Sequence, residues 1–238
     1  MPEHQSATQL SVVIPTLNEE DFLPPALRAI TERAADPQRL DIIVVDAGSD
    51  DQTVAFAKKA GVRVFVCPDF RYQKYRSLNF GLERALASVV LWLDADSLVP
   101  PHFDRAILDT LQDPKVVGGA FEFALDQRGW PYSIITRSNR LRYRLAPIYH
   151  GDQGLFCRKA IAKKIGGYPT EPLMEAACFS RALRQKGKLQ LIGLPLVTSA
   201  RRFREGGVWR VMWFDVRMWV RFVLGLPVRA FAKRYWTD

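Results

Sequence analysis

Short apolar runs alternate with stretches of helical period through the first half of the chain. Residues 10–14, LSVVI, form the first run and stop at Pro15. After PTLNEED, the residues Phe22, Leu23, Ala26, Leu27 and Ile30 recur at the spacing of one helix face. A second run, DIIVVD, ends at Asp46, and the small-residue loop AGSDDQT leads into a predicted helix over residues 53–60, which Gly61 stops. Further strands are predicted at 62–66 and 89–93, and further helices at 75–87 and 102–111. Strands and helices in this alternation predict βαβ units, hence an α/β fold with a Rossmann-like, mostly parallel central sheet flanked by helices. Right-handed crossovers bring the C-terminal strand ends to one edge, where ligands of such sheets bind. The loops after Ile14, Val45 and Leu93 are therefore expected to share one cleft, holding Thr16, Asn18, Glu19, Asp46, Asp94 and Asp96.

Beyond Pro114 the alternation weakens. KVVGGAFEFAL reads as a strand, IITRSNRLRYRLAPI as a basic amphipathic helix, and HGDQGLF as a loop opening into another strand. Gly151 and Gly154 allow close backbone approach there, and Asp152 is placed either to bind an acceptor hydroxyl or simply to occupy a polar hairpin. The last helical stretch, VWRVMWFDVRMWVRFVLG, carries Arg210, Arg217 and Arg221 on one stripe, with Trp209, Trp213 and Trp219 on an otherwise apolar body. It is too charged and too short to span a bilayer. A membrane-interface helix, a core helix and a dimer interface all fit it.

The stretch with the clearest chemistry is VVLWLDADS, residues 89–97. In an extended segment, positions two apart point the same way, so Asp94 and Asp96 are expected to converge. Two like charges at the end of an apolar strand need compensation, which a hard divalent cation supplies. Magnesium and manganese take one or two protein carboxylates and fill their remaining positions with water and substrate phosphates. The alternative is an acidic turn in which Asp96 or Ser97 caps the helix near His102.

At 238 residues and 48% apolar composition, the chain is long enough for one large α/β domain with a sizeable core. Its net charge of +9 favours anionic partners. Nucleic acid is disfavoured, because no recognition motif appears and the basic residues are dispersed. The three cysteines, Cys67, Cys157 and Cys178, lack C-x-x-C spacing, which argues against a disulfide framework or a zinc site. No basic and apolar leader opens the sequence, so a cytoplasmic protein is expected. Neither G-x-G-x-x-G after the first strand nor G-x-x-x-x-G-K-[ST] occurs, which counts against dinucleotide oxidoreductases and P-loop enzymes.

VVIPTLNEE, IIVVDAGSDDQT, the lysine and arginine before LNFG, and VVLWLDAD stand in the order seen in family 2 glycosyltransferases of the GT-A fold. The second half, with YHGDQGLFCRKAIAKKIGGYP, PLMEAACFSRALRQKG and TSARRFREGG, resembles the arsenosugar-biosynthesis-type branch of that family. The resemblance covers residues 10–235. It implies one GT-A domain over 1–238, with a nucleotide-binding half at 10–113, an acceptor-binding half at 114–205 and amphipathic C-terminal helices at 206–238. It also implies a UDP- or GDP-linked sugar donor, Mn2+ or Mg2+ as cofactor, and inversion at the anomeric carbon.

Carried over residue by residue, Pro15, Thr16, Asn18 and Glu19 line the nucleotide pocket, Asp46 contacts the base, Asp94 serves the ribose or metal region, and Asp96 holds the metal. Lys74 and Arg76 fall where the branch has basic residues; they either neutralise the diphosphate or form a solvated helix face. Arg201 and Arg202, with Arg204, match a basic segment near the donor, and Gly206 and Gly207 would let it close. Relatives read MED where an aspartate is the base, whereas this chain reads Met174, Glu175, Ala176. Glu175, and more distantly Asp152, are the candidates left for the base. The acceptor is expected to be small or lipid-associated, with an anionic membrane surface or a second copy as further partners. Two rival readings stand beside the transferase: a nucleotide-sugar-binding protein that has lost turnover with the aspartate, and a polyprenyl-phosphate glycosyltransferase working at the inner face of a membrane.

Overall fold

A computed structural model describes residues 8–171 and 173–227 of the chain. The first half forms the expected alternation. Strand β1 (Leu10–Thr16) leads to α1 (Leu23–Arg33), β2 (Leu40–Asp46), α2 (Thr53–Lys59), β3 (Arg63–Val66), α3 (Lys74–Arg84), β4 (Val89–Trp92), the two-residue β5 (Ser97–Leu98) and α4 (Phe103–Thr110). The second half adds β6 (Val116–Leu125), α5 (Trp130–Leu145), β7 (Phe156–Arg158), α6 (Lys159–Lys164), α7 (Glu175–Arg184), β8 (Lys188–Thr198), α8 (Arg201–Gly206) and α9 (Val208–Val223). Of the expected C-terminal helices over 206–238, the part at 228–238 lies outside the described residues.

The strands form one sheet in the order β3-β2-β1-β4-β7-β6-β8-β5. Strands β1, β2, β3, β4, β6 and β8 run one way, and β5 and β7 run against them. The sheet is thus mixed but mostly parallel, and the C-terminal ends of β1, β2, β4, β6 and β8 lie along one edge. Burial explains why these strands read as unbroken apolar runs. Val13, Ile43, Val45 and Trp92 pack on one face with Leu78 and Leu82 of α3 and Phe179 and Leu183 of α7. Val12, Ile14, Val44 and Leu91 pack on the other with Leu23, Leu27 and Ile30 of α1 and Phe103 and Ile107 of α4. With both faces covered, the polar half of the strand period disappears. Helix α3 lies so close to β1 that a Cβ at Gly81 would stand 2.2 Å from Cγ1 of Val13.

Several local expectations differ. Asn18 caps no helix: it adopts φ 54°, and α1 begins at Leu23 with prolines in its first turn. Neither Asp96 nor Ser97 caps α4, whose N-cap is His102. The acidic pair is not in an extended segment. Strand β4 stops at Trp92, and the Ser97 N–H bonds the Asp94 carbonyl at 3.0 Å, so a turn carries Asp94 and Asp96. HGDQG forms a short 3-10 turn at Gly151–Gln153 in place of a hairpin loop. The basic segment after Thr198 is helical, and β8 was not evident in the sequence pattern.

Candidate active site

The turn after β4 opens into a cavity of ≈ 710 Å³ at the C-terminal sheet edge, walled by Asp94, Asp96, Asp152, Glu175 and Arg202 together with α5 and α9. Each of the paired carboxylates already faces a cation of the chain. Lys74, at the start of α3, donates to Oδ1 of Asp94 at 2.6 Å. Arg201, at the start of α8, donates to Oε1 of Glu19 at 2.5 Å, lies 3.9 Å from Oδ2 of Asp96 and stacks over the Phe22 ring. Burial, and then the charge of Asp94, push the Asp96 carboxyl up to about 6. Burial also raises Glu19 against the pull of Arg201, and its Oε2 is buried without a hydrogen-bond partner. Thr198, at the end of β8, reaches Oδ1 of Asp96 at 3.4 Å, and Ser97 bonds Thr198 in turn, so the β5–β8 pairing ties the second half of the chain to the acidic turn.

The loops after β1 and β2 interlock beside this cleft. Asp46 is wholly buried, and its oxygens accept from Thr16 Oγ1, Ser49 Oγ and the N–H groups of Gly48 and Ser49. It shapes the loop from within. The Asn18 N–H bonds Ser49 Oγ and its Oδ1 accepts the Asp50 N–H, both at 2.8 Å. Arg71 closes the far side, bonding the Gly48 carbonyl and Asp50. Pro15 stands opposite Val45 within the sheet. Arg76 is not brought to the cleft: its guanidinium stacks over Phe70 and bonds the Asp69 carbonyl, on another side of α3 from Lys74.

On the other wall, Met174 in the left-handed region turns the chain so that Glu175 opens α7 towards the cavity. Burial raises the Glu175 carboxyl, with Lys74 opposing and Asp94 adding to the shift. Ala176 is 6% exposed and packs in the core cluster beneath the cavity. Asp152 sits across from it with Oδ1 buried and unpartnered, and burial pushes its carboxyl up to about 6. Its neighbour His150 also has an unpartnered buried nitrogen, Nε2, and burial followed by Arg142 holds that imidazole well below its usual range. Arg202 is paired with Asp215 of α9 at 2.5 Å. His150, Thr198, Phe22 and Asp215 are site residues that the sequence did not single out for the site. Only tertiary proximity marks them.

Among the described residues no group of three or more His, Cys, Asp or Glu is set to hold a metal ion. The donor set nevertheless fits a cation that takes few protein ligands. Asp94 and Asp96 offer oxygen at one cavity, and Gly151 keeps the space beside them clear, since a Cβ there would stand 3.5 Å from Asp94 Oδ2 and 3.6 Å from Lys74 Nζ. The residues suit Mg2+ or Mn2+ completed by phosphate and water, and do not suit a cage made wholly of protein.

The chain is similar to several known proteins. It is 33% identical over 136 residues to the undecaprenyl-phosphate 4-deoxy-4-formamido-L-arabinose transferase of Pseudomonas syringae pv. syringae (strain B728a), covering 53% of this chain and 40% of that protein. The chain therefore spans well under two thirds of that curated relative. Among solved structures, the mannosyltransferase PcManGT from Pyrobaculum calidifontis in complex with GDP-Man and Mn2+ superposes with a TM-score of 0.65 at 24% identity, over 81% of this chain and 56% of that one. TarS of S. aureus in complex with UDP gives 0.63 at 17%, over 80% and 60%. At these identities the superpositions establish the fold, which is GT-A-like. The family described as Glycosyl transferase family 2 matches residues 11–164, well over half of the chain, and the chain belongs to that family.

Proposed function

We propose that the protein is a metal-dependent, inverting glycosyltransferase that moves a sugar from a nucleotide diphosphate donor to a small or lipid-associated acceptor. The observation that carries this reading is the convergence of Asp94, Asp96 and Glu175 on one cavity, with Lys74 and Arg201 beside the acidic pair. In this assignment residues 10–113 bind the nucleotide and 114–205 the acceptor, with α9 closing the acceptor side. UDP- or GDP-linked sugars are the donors expected, because the structural neighbours were solved with UDP or GDP-mannose.

Asp96 and Asp94 hold Mn2+ or Mg2+, which supplies charge neutralisation to the donor diphosphate. Lys74 and Arg201 exchange their carboxylate partners for phosphate oxygens, so charge building on the leaving diphosphate meets fixed cations. Thr16, Asn18, Glu19 and the loop organised by Asp46 form the nucleotide side, with Pro15 fixing the strand end. Arg202, anchored by Asp215, adds a second guanidinium on the donor side next to Arg201. Glu175 takes the proton as the acceptor oxygen attacks the anomeric carbon from the face opposite the departing diphosphate. A carboxyl raised by burial is better matched to that task than a solvated one. Asp152 binds the acceptor hydroxyl. The likeness of the second half to the arsenosugar-biosynthesis-type branch makes a small acceptor one specific reading, while the undecaprenyl-phosphate relative supports a lipid-linked one.

A thermal-shift series with UDP, GDP, CDP and dTDP, with and without manganese, tests the donor site, because a ligand that binds only the folded state raises its stability. Stabilisation by one or two of these in the presence of metal is expected. Failure of all four removes the proposal. Ala176 favours a second reading, a nucleotide-sugar-binding protein without turnover, since the residue two positions after Met174 has no carboxylate. Nucleotide stabilisation without sugar release from any donor would identify it.

A further inference from the structure

Helices α5 and α9 lie side by side on the outside of the molecule. The rings of Trp130 and Trp209, in their first turns, are 5.4 Å apart, and further along the Arg142 guanidinium sits 5.0 Å from the Trp219 ring. The helices therefore run in the same direction, for about 24 Å at 1.5 Å per residue. Each presents an apolar stripe to the outside. On α9, Trp209, Trp213, Val216, Val220 and Val223 follow at steps of four and three residues and are 41% to 65% exposed. On α5, Trp130, Ile134, Leu141 and Leu145 form a matching stripe. Isolated exposed apolar residues need no explanation, but a plate two helices wide does.

The charge on this plate has one sign. Helix α5 carries Arg137 and Arg144 on its exposed surface and no acidic residue, and α9 carries Arg210 and Arg217. Asp215, the one carboxylate of the two helices, lines the cavity and is paired with Arg202. The mouth of the cavity lies within the plate, because Leu141, Leu145, Val216 and Val223 belong both to the stripes and to the cavity wall. A second protein packed on the plate would stopper that mouth. A lipid surface leaves it open to amphipathic molecules dissolved in the bilayer.

The geometry points to the α5–α9 face as a docking surface for an anionic lipid bilayer, with tryptophans at headgroup depth and arginines against lipid phosphates. Among the described residues no helix is long and apolar enough to cross a membrane, so the contact is peripheral. The open cavity mouth and the direction from which an acceptor enters rest on the transferase reading; the apolar stripes and single-sign charge that favour an anionic bilayer do not.

The test uses the full chain with vesicles of phosphatidylcholine alone or with about one-third phosphatidylglycerol, at low and high salt. Sedimentation with the anionic vesicles at low salt, about tenfold above the neutral ones, with a blue shift of tryptophan emission and release by salt, is the expected result. Trp213→Glu with Val220→Glu should remove the binding, and Arg137→Glu with Arg144→Glu should reduce it about tenfold, while both pairs keep the nucleotide-dependent thermal shift. Absence of a preference for anionic vesicles at low salt overturns the inference. So does a dimer that Trp213→Glu splits, which would make the face an interface between copies. Vesicle binding without any nucleotide shift would sink the transferase reading alone.

Discussion

Arg201 and Glu19 are 182 positions apart in the chain and meet at 2.5 Å, with Asp96 a further neighbour of the same guanidinium at 3.9 Å. One cation thus joins the loop after β1 to the acidic turn after β4. Arg201→Ala should leave both carboxylates without their partner and remove a donor from the leaving diphosphate. A fall in kcat of about 10²-fold is expected, with a smaller loss for Arg201→Lys, which keeps the charge but not the fork. Release of nucleoside diphosphate from the cognate sugar donor measures it; an unchanged kcat would show that the arginine serves the fold only.

Asp96→Asn should abolish the manganese-dependent part of nucleotide stabilisation while leaving the metal-free melting temperature no lower than that of the parent. The reasoning is that the raised Asp96 carboxyl costs folded-state stability when ionised, so its amide removes a burden as well as a ligand. Melting curves with nucleotide, with and without metal, decide the point. A variant that still needs manganese would move the ligand role to Asp94.

Asp152 supplies a pH signature. Its carboxyl is pushed from 3.8 up to about 6, so the folded state holds that proton more tightly than the unfolded chain. Between those values the unfolded state binds fewer protons, and stability falls as pH rises. Asp152→Asn cannot titrate. The two proteins should therefore melt together near pH 4, and by pH 7 the variant should lie above the parent by about 5–10 °C, because a rise of that size is worth about 2–3 kcal/mol and each kcal/mol moves the melting temperature of a chain of this size by about 2–4 °C. Parallel melting profiles across that range would show Asp152 to be solvated.

The base is separated from its neighbour by two substitutions. Glu175→Gln should lower kcat by about 10²- to 10⁴-fold with nucleotide stabilisation intact, as expected for loss of a proton acceptor. Ala176→Asp introduces a carboxylate at a buried core position and should cost about 1–3 kcal/mol of stability. A large gain in turnover in that variant would assign the base to position 176 and overturn the role given to Glu175.

The acidic pair, the loop after β1 and the basic start of α3 were legible because each sits at the end of an element whose pattern is local. Arg76 was grouped with Lys74, yet residues two apart on a helix point about 200° from each other, and only Lys74 reaches Asp94. Asp46 stood out as a carboxylate closing a buried strand; its inward bonds to Thr16 and Ser49 come from a neighbouring strand and a loop conformation that no pattern encodes. Strand β8 escaped because the alternation begun over residues 188–191 breaks at Ile192, with Gly193 and Pro195 following, and its register with β6 shifts between Phe121 and Glu122.

By itself the sequence determined the α/β class, the parallel run of strands and the position of the acidic pair just past a strand end, since apolar period and short turn signals act over a few residues; that a turn carries the pair was not evident in it. Tertiary structure decided which charges meet. Ion pairs such as Glu19 with Arg201 depend on crossover connections that bring distant strand ends together, and the exposed plate of α5 and α9 exists only because two separate helices pack side by side. Neighbourhood in space follows from how layers stack, and that is a property of the whole chain.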